Sequence, residues 1–410
     1  MRNIKKYLKR NYIAFFWHGI FFAISAALVD LNTVLPGFIT NLSDSKIVLG
    51  IATSILMGGP ILFQILFIRI IDPLPYKKGT LLIGIYLRVI SFFGMFLTSL
   101  YLPSVSPILT IYTLFILLLI FSISGGFAGM SYMDIIGKIT EKKTRGEFFA
   151  IKQFLSAAAS IAAGLTVRKI LNLKTLPFPK NYAILFLFAS ITLFIASIGF
   201  LLIKEPKAKK EKEDKSFKEY LVLIKEILKK DKNFLKFIII ENIAGLGIMI
   251  IPFYLAFAKD VIKIRESEIG TYLTFQILGA IFSNLLWGKI SKHIGSKKTL
   301  EICLLIGSML PIMAIFIQKF FPSLFFLVFF GVGTVVSGRQ ISFNTYILDI
   351  SPEDYRAVYV GINGSLVIFM IILPLIGGGL IESIGYYTTF LFVSLGMFFN
   401  FLLSSKLKGA

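Results

Sequence analysis

The feature that most constrains this chain is a series of apolar stretches, each about as long as a bilayer is thick, separated by short gaps rich in lysine. Twelve such stretches can be read, at 13–38, 47–71, 80–101, 108–133, 148–171, 183–203, 234–258, 268–288, 300–318, 324–348, 357–382 and 388–404. A helix needs about 20 apolar residues to cross the hydrocarbon core. Strands of a membrane barrel would instead alternate over segments of about 10 residues. Hydrocarbon offers the backbone no hydrogen bonds, so a spanning segment must satisfy its own, which a helix does. The expected fold class is therefore an all-α membrane protein with 12 transmembrane helices. Composition agrees: of 410 residues, 56% are apolar and 16% charged, where soluble domains run at roughly 25% charged.

A formal charge of +21 would point to nucleic acid in a soluble protein. Here the basic residues gather between the apolar stretches, 29 in one set of gaps with the two termini and seven in the other. That bias reads as positive-inside topology, with both termini cytoplasmic, a cytoplasmic (inner) membrane as the location and no nucleic-acid partner. The first stretch runs past twenty residues without a small-residue cleavage site, so it reads as a retained helix. A single cysteine, Cys303, excludes an intramolecular disulfide, and two histidines leave no zinc constellation. No cofactor and no metal are expected. Without a nucleophile–base set or a Gly-rich phosphate loop the chain reads as neither an enzyme nor a nucleotide-driven pump.

The longest gap, 204–233, holds a Lys/Glu-rich run and then Phe217-Lys218-Glu219-Tyr220-Leu221-Val222-Leu223-Ile224. It reads as a cytoplasmic linker with a short amphipathic surface helix. It divides the chain into a bundle of six helices over 1–203 and a second over 234–410. The halves echo one another. Aligning Lys77-Lys78 with Lys297-Lys298 sets Asp72 on Lys292 and Pro75 on Gly295. Further on, Asp134 followed by Arg145 is repeated by Asp349 followed by Arg356, an acid at one helix end and a base at the next helix start.

The loop Gly288-Lys289-Ile290-Ser291-Lys292-His293-Ile294-Gly295-Ser296-Lys297-Lys298 resembles the Gly-x-x-x-Asp-Arg/Lys-x-Gly-Arg/Lys-Arg/Lys pattern of the major facilitator superfamily of secondary transporters. It matches at Gly288, Gly295 and Lys297 and departs at Lys292, where the family has its acid. The first-half copy keeps Asp72, Lys77 and Lys78 and lacks both glycines. The resemblance implies two pseudo-symmetric six-helix bundles rocking about a central cavity lined by the first, fourth, seventh and tenth helices. It also implies cytoplasmic latch loops, in which an acid at one helix end holds basic groups and backbone N–H at another helix N-terminus. Asp72 is expected to anchor the first-half latch. The second half, with Lys298 but no acid at Lys292, must use other partners such as Asp349 or Glu353.

Ionisable residues inside a bilayer are expensive, so each asks for a partner or a role. Asp30 lies about 17 residues into the first stretch, followed by Asn32 and an expected kink at Pro36; it reads as a proton- or cation-coupling acid or as a structural acid. Glu241, beside Asn242 in the seventh stretch, and Arg339, ahead of Gln340 and Asn344 in the tenth, have similar depths, so an ion pair is expected. Arg88 reads as snorkelling toward the cytoplasm, and His18, next to Trp17, as an interface anchor. Small residues at 156–164 and at 374–379 predict close helix contacts. The reading is a monomeric transporter in the lipid bilayer that moves a small-molecule substrate by alternating access, with protons as coupling partner. A flippase of lipid-like substrates and a non-transporting sensor or assembly protein of the same fold are the alternatives.

Overall fold

The computed structural model describes residues 2–71, 74–139, 145–207, 217–352 and 356–408, and among them there is no strand. Seven helices lie ahead of the linker: α1 (Arg2–Leu28), α2 (Val34–Leu42), α3 (Lys46–Ile71), α4 (Lys78–Tyr101), α5 (Pro107–Ile139), α6 (Arg145–Leu171) and α7 (Lys180–Leu202). The linker holds α8 (Phe217–Lys230), and after it come α9 (Lys232–Met249), α10 (Ile251–Phe257), α11 (Glu266–Phe320), α12 (Phe326–Ile350), α13 (Arg356–Leu366) and α14 (Leu373–Ser404). The linker helix expected from the sequence is α8.

Among the described residues, nine helical runs are long and apolar enough to cross a membrane. The expected twelve is not fixed by this count, because the runs Glu266–Phe320 and Val358–Ser404 each join two helices across a glycine break. Both α11 and α14 pass through a glycine with non-helical torsions, Gly295 (φ 84°, ψ 163°) and Gly385 (φ 81°, ψ 168°). The connection read from the sequence at 288–298 is shorter than expected: two helices meet at the single non-helical residue Gly295. Large apolar side chains such as Ile83, Ile90, Ile116, Phe194 and Leu395 stay exposed along the helices, as suits a chain whose solvent is lipid.

Spans also break inside a run. α1 stops at Leu28, and α2 starts after a turn at Asp30–Thr33 with Pro36 in its first turn. The seventh span repeats this: α9 stops at Met249, and α10 starts at Ile251 with Pro252 in its first turn. Proline has no N–H to give to the preceding turn and its ring crowds that turn's carbonyl, so a helix ends before it and restarts with it at the first position. The kink expected at Pro36 therefore falls before the proline, at Asp30.

Two compact units form. The first comprises Met1–Asp44, Ile55–Lys212 and Arg265–Thr274, the second Ser45–Ser54, Glu213–Ile264 and Phe275–Ala410. In the first, α1 packs on α6 and α7, and α4 on α5 and α7. Its core carries Phe15, Tyr132, Phe148 and Phe200 edge to edge, with centroids 5.3 to 6.0 Å apart. In the second, α14 packs on α9, and α11 crosses α12 where a Cβ on Gly279 would strike the Phe330 carbonyl and one on Gly333 the Gln276 carbonyl.

Candidate functional site

In the second unit the expected ion pair forms. Glu241 on α9 and Arg339 on α12 stand 4.0 Å apart, Oε1 to Nη2, with side chains 13% and 15% exposed. The pairing is incomplete. Arg339 Nη2 also donates to the Glu241 carbonyl (3.2 Å), lies 3.3 Å from Met370 Sδ, and the guanidinium lies over the Phe343 ring at 4.9 Å. Asn363 lies close to the Glu241 carboxylate, whose Oε2 has no hydrogen-bond partner among the described residues. Asn242 is spent on structure, donating to the Ile238 and Leu366 carbonyls at 2.9 and 3.2 Å. Gln340 and Asn344 are exposed; one and five positions past Arg339, they are turned about 100° and 140° away from it on a helix of 3.6 residues per turn. Asn363 and Met370 escaped the sequence reading because nothing in an apolar run announces which of its residues faces a charge.

Asp30 sits in the turn between α1 and α2. Its Oδ1 accepts from Asn32 N (3.0 Å) and from the buried Thr33 Oγ1 (2.8 Å), the Asx-type bonding that lets a short acid stabilise a turn. The carboxylate is half-buried.

Two basic side chains of the first unit, His18 and Arg88, were read otherwise from the sequence, and a third, Lys152, was not read. Trp17 faces outward, 41% exposed with Nε1 on the Ile195 carbonyl, while His18 turns inward and is 7% exposed. The imidazole packs on Phe200 (4.0 Å), Phe22 and Tyr132. Arg88, in the middle of α4, lies over Phe121 at 4.7 Å and against Gly125 rather than reaching for the membrane edge. Lys152 on α6 reaches past Gly19 and sets its Nζ 5.2 Å from the Tyr132 ring centroid.

At one end of the first unit, Glu205 organises the network expected of a latch. Its carboxylate accepts from the backbone N–H of Lys77 (2.9 Å) and of Lys78 (2.8 Å), at the start of α4, and from Lys138 Nζ (2.8 Å). Its side chain is 2% exposed. Asp134 pairs with Lys77 (3.2 Å) and Lys138 (2.7 Å), and Lys78 Nζ donates to the Leu201 and Ile203 carbonyls. Asp72 lies outside the described residues, as do the side chains of Arg145 and Arg356. In the second unit, Lys298 pairs with Glu301 at 2.7 Å, and Lys297, 3.7 Å from the same acid, donates to the Ser405 carbonyl. Asp349 is exposed and makes no ion pair among the described residues; Glu353 lies outside them. Gly288 is helical with open space at its Cβ position. No group of three metal-ligating side chains occurs among the described residues.

The ends of the two units match. Asn11 brackets Lys204, donating to its carbonyl (3.0 Å) and accepting from its N–H (3.1 Å); Asn233 accepts from Lys408 N–H (2.9 Å), and Tyr346 donates to the Lys408 carbonyl. Lys78 on Leu201 then corresponds to Lys297 on Ser405, one residue off the alignment read from the lysine pairs.

The model of the Major Facilitator Superfamily matches residues 13–260 and again 237–408. The chain belongs to the major facilitator superfamily. A curated relative, an uncharacterized MFS-type transporter of Methanocaldococcus jannaschii, is 28% identical over 239 residues, and the match spans 56% of each chain. Solved structures share the fold at low identity. The nucleoside transporter NupG has a TM-score of 0.72 at 15% identity, covering 98% of this chain and 99% of that one. A D-xylose-proton symporter gives 0.71 at 14%, covering 98% of each. A bacterial homologue of the iron transporter ferroportin gives 0.68 at 12%, covering 97% and 98%. These likenesses carry the fold of the superfamily and no substrate.

Proposed function

We propose that this superfamily member is a secondary transporter that carries a small solute across the cytoplasmic membrane by alternating access, coupled to protons through Glu241. The observation that supports coupling is the unfinished Glu241–Arg339 pair. A carboxylate and a guanidinium are held inside an apolar bundle at 4.0 Å, with Glu241 Oε2 unpartnered. Buried charges left imperfectly paired are expensive, and that expense is recovered when a proton or a substrate group completes the set. A proton on Glu241 frees Arg339; its loss draws the guanidinium back. Asp30 is a less favoured proton site, because its carboxylate already serves the α1–α2 turn. The basic bias at one set of helix ends supports cytoplasmic termini.

The test uses purified protein in liposomes with a transported solute and an imposed pH gradient. Glu241→Gln is expected to abolish gradient-driven accumulation while solute exchange at equal pH continues. Asp30→Asn, which keeps an oxygen acceptor for Asn32 and Thr33, is expected to leave accumulation within about twofold. Full accumulation by the Glu241→Gln protein would remove the coupling role and leave uncoupled diffusion.

A further inference from the structure

The first unit holds cations that no acid among the described residues answers. Arg88 and Lys152 make no ion pair among the described residues, although both lie within electrostatic reach of the buried His18. Among the described acids of this unit, Asp30 is engaged in its turn, Asp134 and Glu205 with Lys77 and Lys138, Glu266 with Tyr182 and Asn41, and Glu268 with Arg265 N–H. Three polar atoms at this place are buried without a hydrogen-bond partner: Arg88 Nε, His18 Nδ1 and Tyr132 Oη. Buried polar groups are partnered as a rule, and orphaned cations inside a bilayer protein mark a place where something anionic spends part of its time.

They lie in succession along one face of α5. Phe121, Gly125 and Tyr132 fall at four- and seven-residue spacing on one face of α5. Arg88 lies on Phe121 and occupies the notch at Gly125, where a Cβ would meet its Nη2. Seven residues along that face, about 10 Å at 1.5 Å per residue, Tyr132 carries Lys152 on one side and the His18 ring, 5.9 Å between centroids, on another. The second unit is different, since the one comparably buried guanidinium among its described residues, Arg339, already faces Glu241.

We infer that Arg88, Lys152, His18 and Tyr132 form an anion subsite in the first unit, and that the solute carried is a small organic anion such as a carboxylate or phosphate ester. The inference rests on the transporter reading. Arginine supplies a planar fork that matches either group, lysine a second charge, Tyr132 Oη a hydroxyl donor, and His18 Nδ1 an acceptor for a hydroxyl or acid proton of the solute.

The test is melting and calorimetry of the purified full chain with acetate, succinate, citrate, phosphate and glycerol 3-phosphate, using glycerol, xylose and putrescine as neutral and cationic controls. At least one anion, and none of the controls, is expected to raise the melting temperature. Arg88→Gln and Lys152→Gln should each weaken that binding at least tenfold, and Arg88→Lys should weaken it less. Gly125→Ala, which displaces the guanidinium without removing a charge, should weaken it too. Unliganded Arg88→Gln and Lys152→Gln proteins should melt no lower than the parent, since each loses an unanswered charge. The inference is overturned if no anion stabilises the parent, or if the variants bind as tightly as it does. Uptake separates the two readings. An anion bound through Arg88 and not transported ends the transporter reading and leaves the subsite; a neutral or cationic solute transported equally by parent and variants ends the subsite and leaves the transporter.

Discussion

Gly295 and Gly385 do at residue scale what a loop does elsewhere. Each is preceded by isoleucine and followed four positions on by a threonine whose Oγ1 donates to the glycine carbonyl at 2.8 Å, Thr299 in one case and Thr389 in the other. The turn needs positive φ with an extended ψ, a region open in practice to glycine alone. Gly288, seven residues earlier, is an ordinary helical residue with space around it. The two glycines of the loop motif therefore separate by experiment. Gly295→Ala is expected to destabilise by about 1–3 kcal/mol, and Gly288→Ala to be neutral or to stabilise by up to about 1 kcal/mol. Thermal or denaturant unfolding of both variants checks this, and equal effects would sink the distinction. The Ile-Gly-x-x-x-Thr pattern was in the sequence at both places, but it is legible as a turn only once the torsions are known. Glu205 was equally in view, beside Pro206. Its role as acceptor for the start of α4 depends on where α7 ends relative to α4, which no local pattern carries.

Between elements, contact is decided by where side chains are small. The small stretches read from the sequence do bring helices together: a Cβ on Gly378 would strike the Lys46 carbonyl, and one on Gly164 would lie 2.7 Å from Thr274 Oγ1. The seam between α11 and α12 was not read, although Gly279 and Ser283 repeat the four-residue spacing of Gly333 and Ser337. There Ser283 and Ser337 bond at 3.2 Å, and Trp287 Nε1 donates to the Thr334 carbonyl at 3.1 Å. Within lipid, association rests on such packing and bonding rather than on the exclusion of water. Gly333→Leu must part the two helices or bend them, so it is expected to lower the melting temperature and the yield of monodisperse protein sharply. Val336→Leu, at an exposed position of the same helix, should be silent. Similar behaviour of the two variants would show that the crossing contributes little.

At the scale of the whole molecule, the two units do not follow the two halves of the sequence. Ser45–Ser54 belongs to the second unit and Arg265–Thr274 to the first. Lys46 pairs with Asp260 at 2.7 Å, and the Glu382 carboxylate accepts from Ser45 Oγ (2.6 Å) and Ile47 N–H (3.1 Å). Reciprocally, Glu266 accepts from Tyr182 and from Asn41 Nδ2 (3.1 Å). Each half of the chain thus completes its counterpart's unit. Residues 1–212 expressed alone are expected to aggregate or be degraded, and co-expression with 213–410 to restore both fragments as one species on size exclusion. Equal stability of the lone fragment would refute this. The sequence by itself determined the helices, their apolar surfaces and the repeat, because a backbone in hydrocarbon has almost no other way to satisfy its hydrogen bonds and because span length is set by the bilayer. It also named Glu241 and Arg339 as partners from depth alone. Only the tertiary structure decided which side chains meet within each unit. A helix that is apolar nearly all round does not reveal its rotation about its own axis, and that rotation sends Arg88 onto Phe121, turns His18 inward and leaves Gln340 and Asn344 exposed.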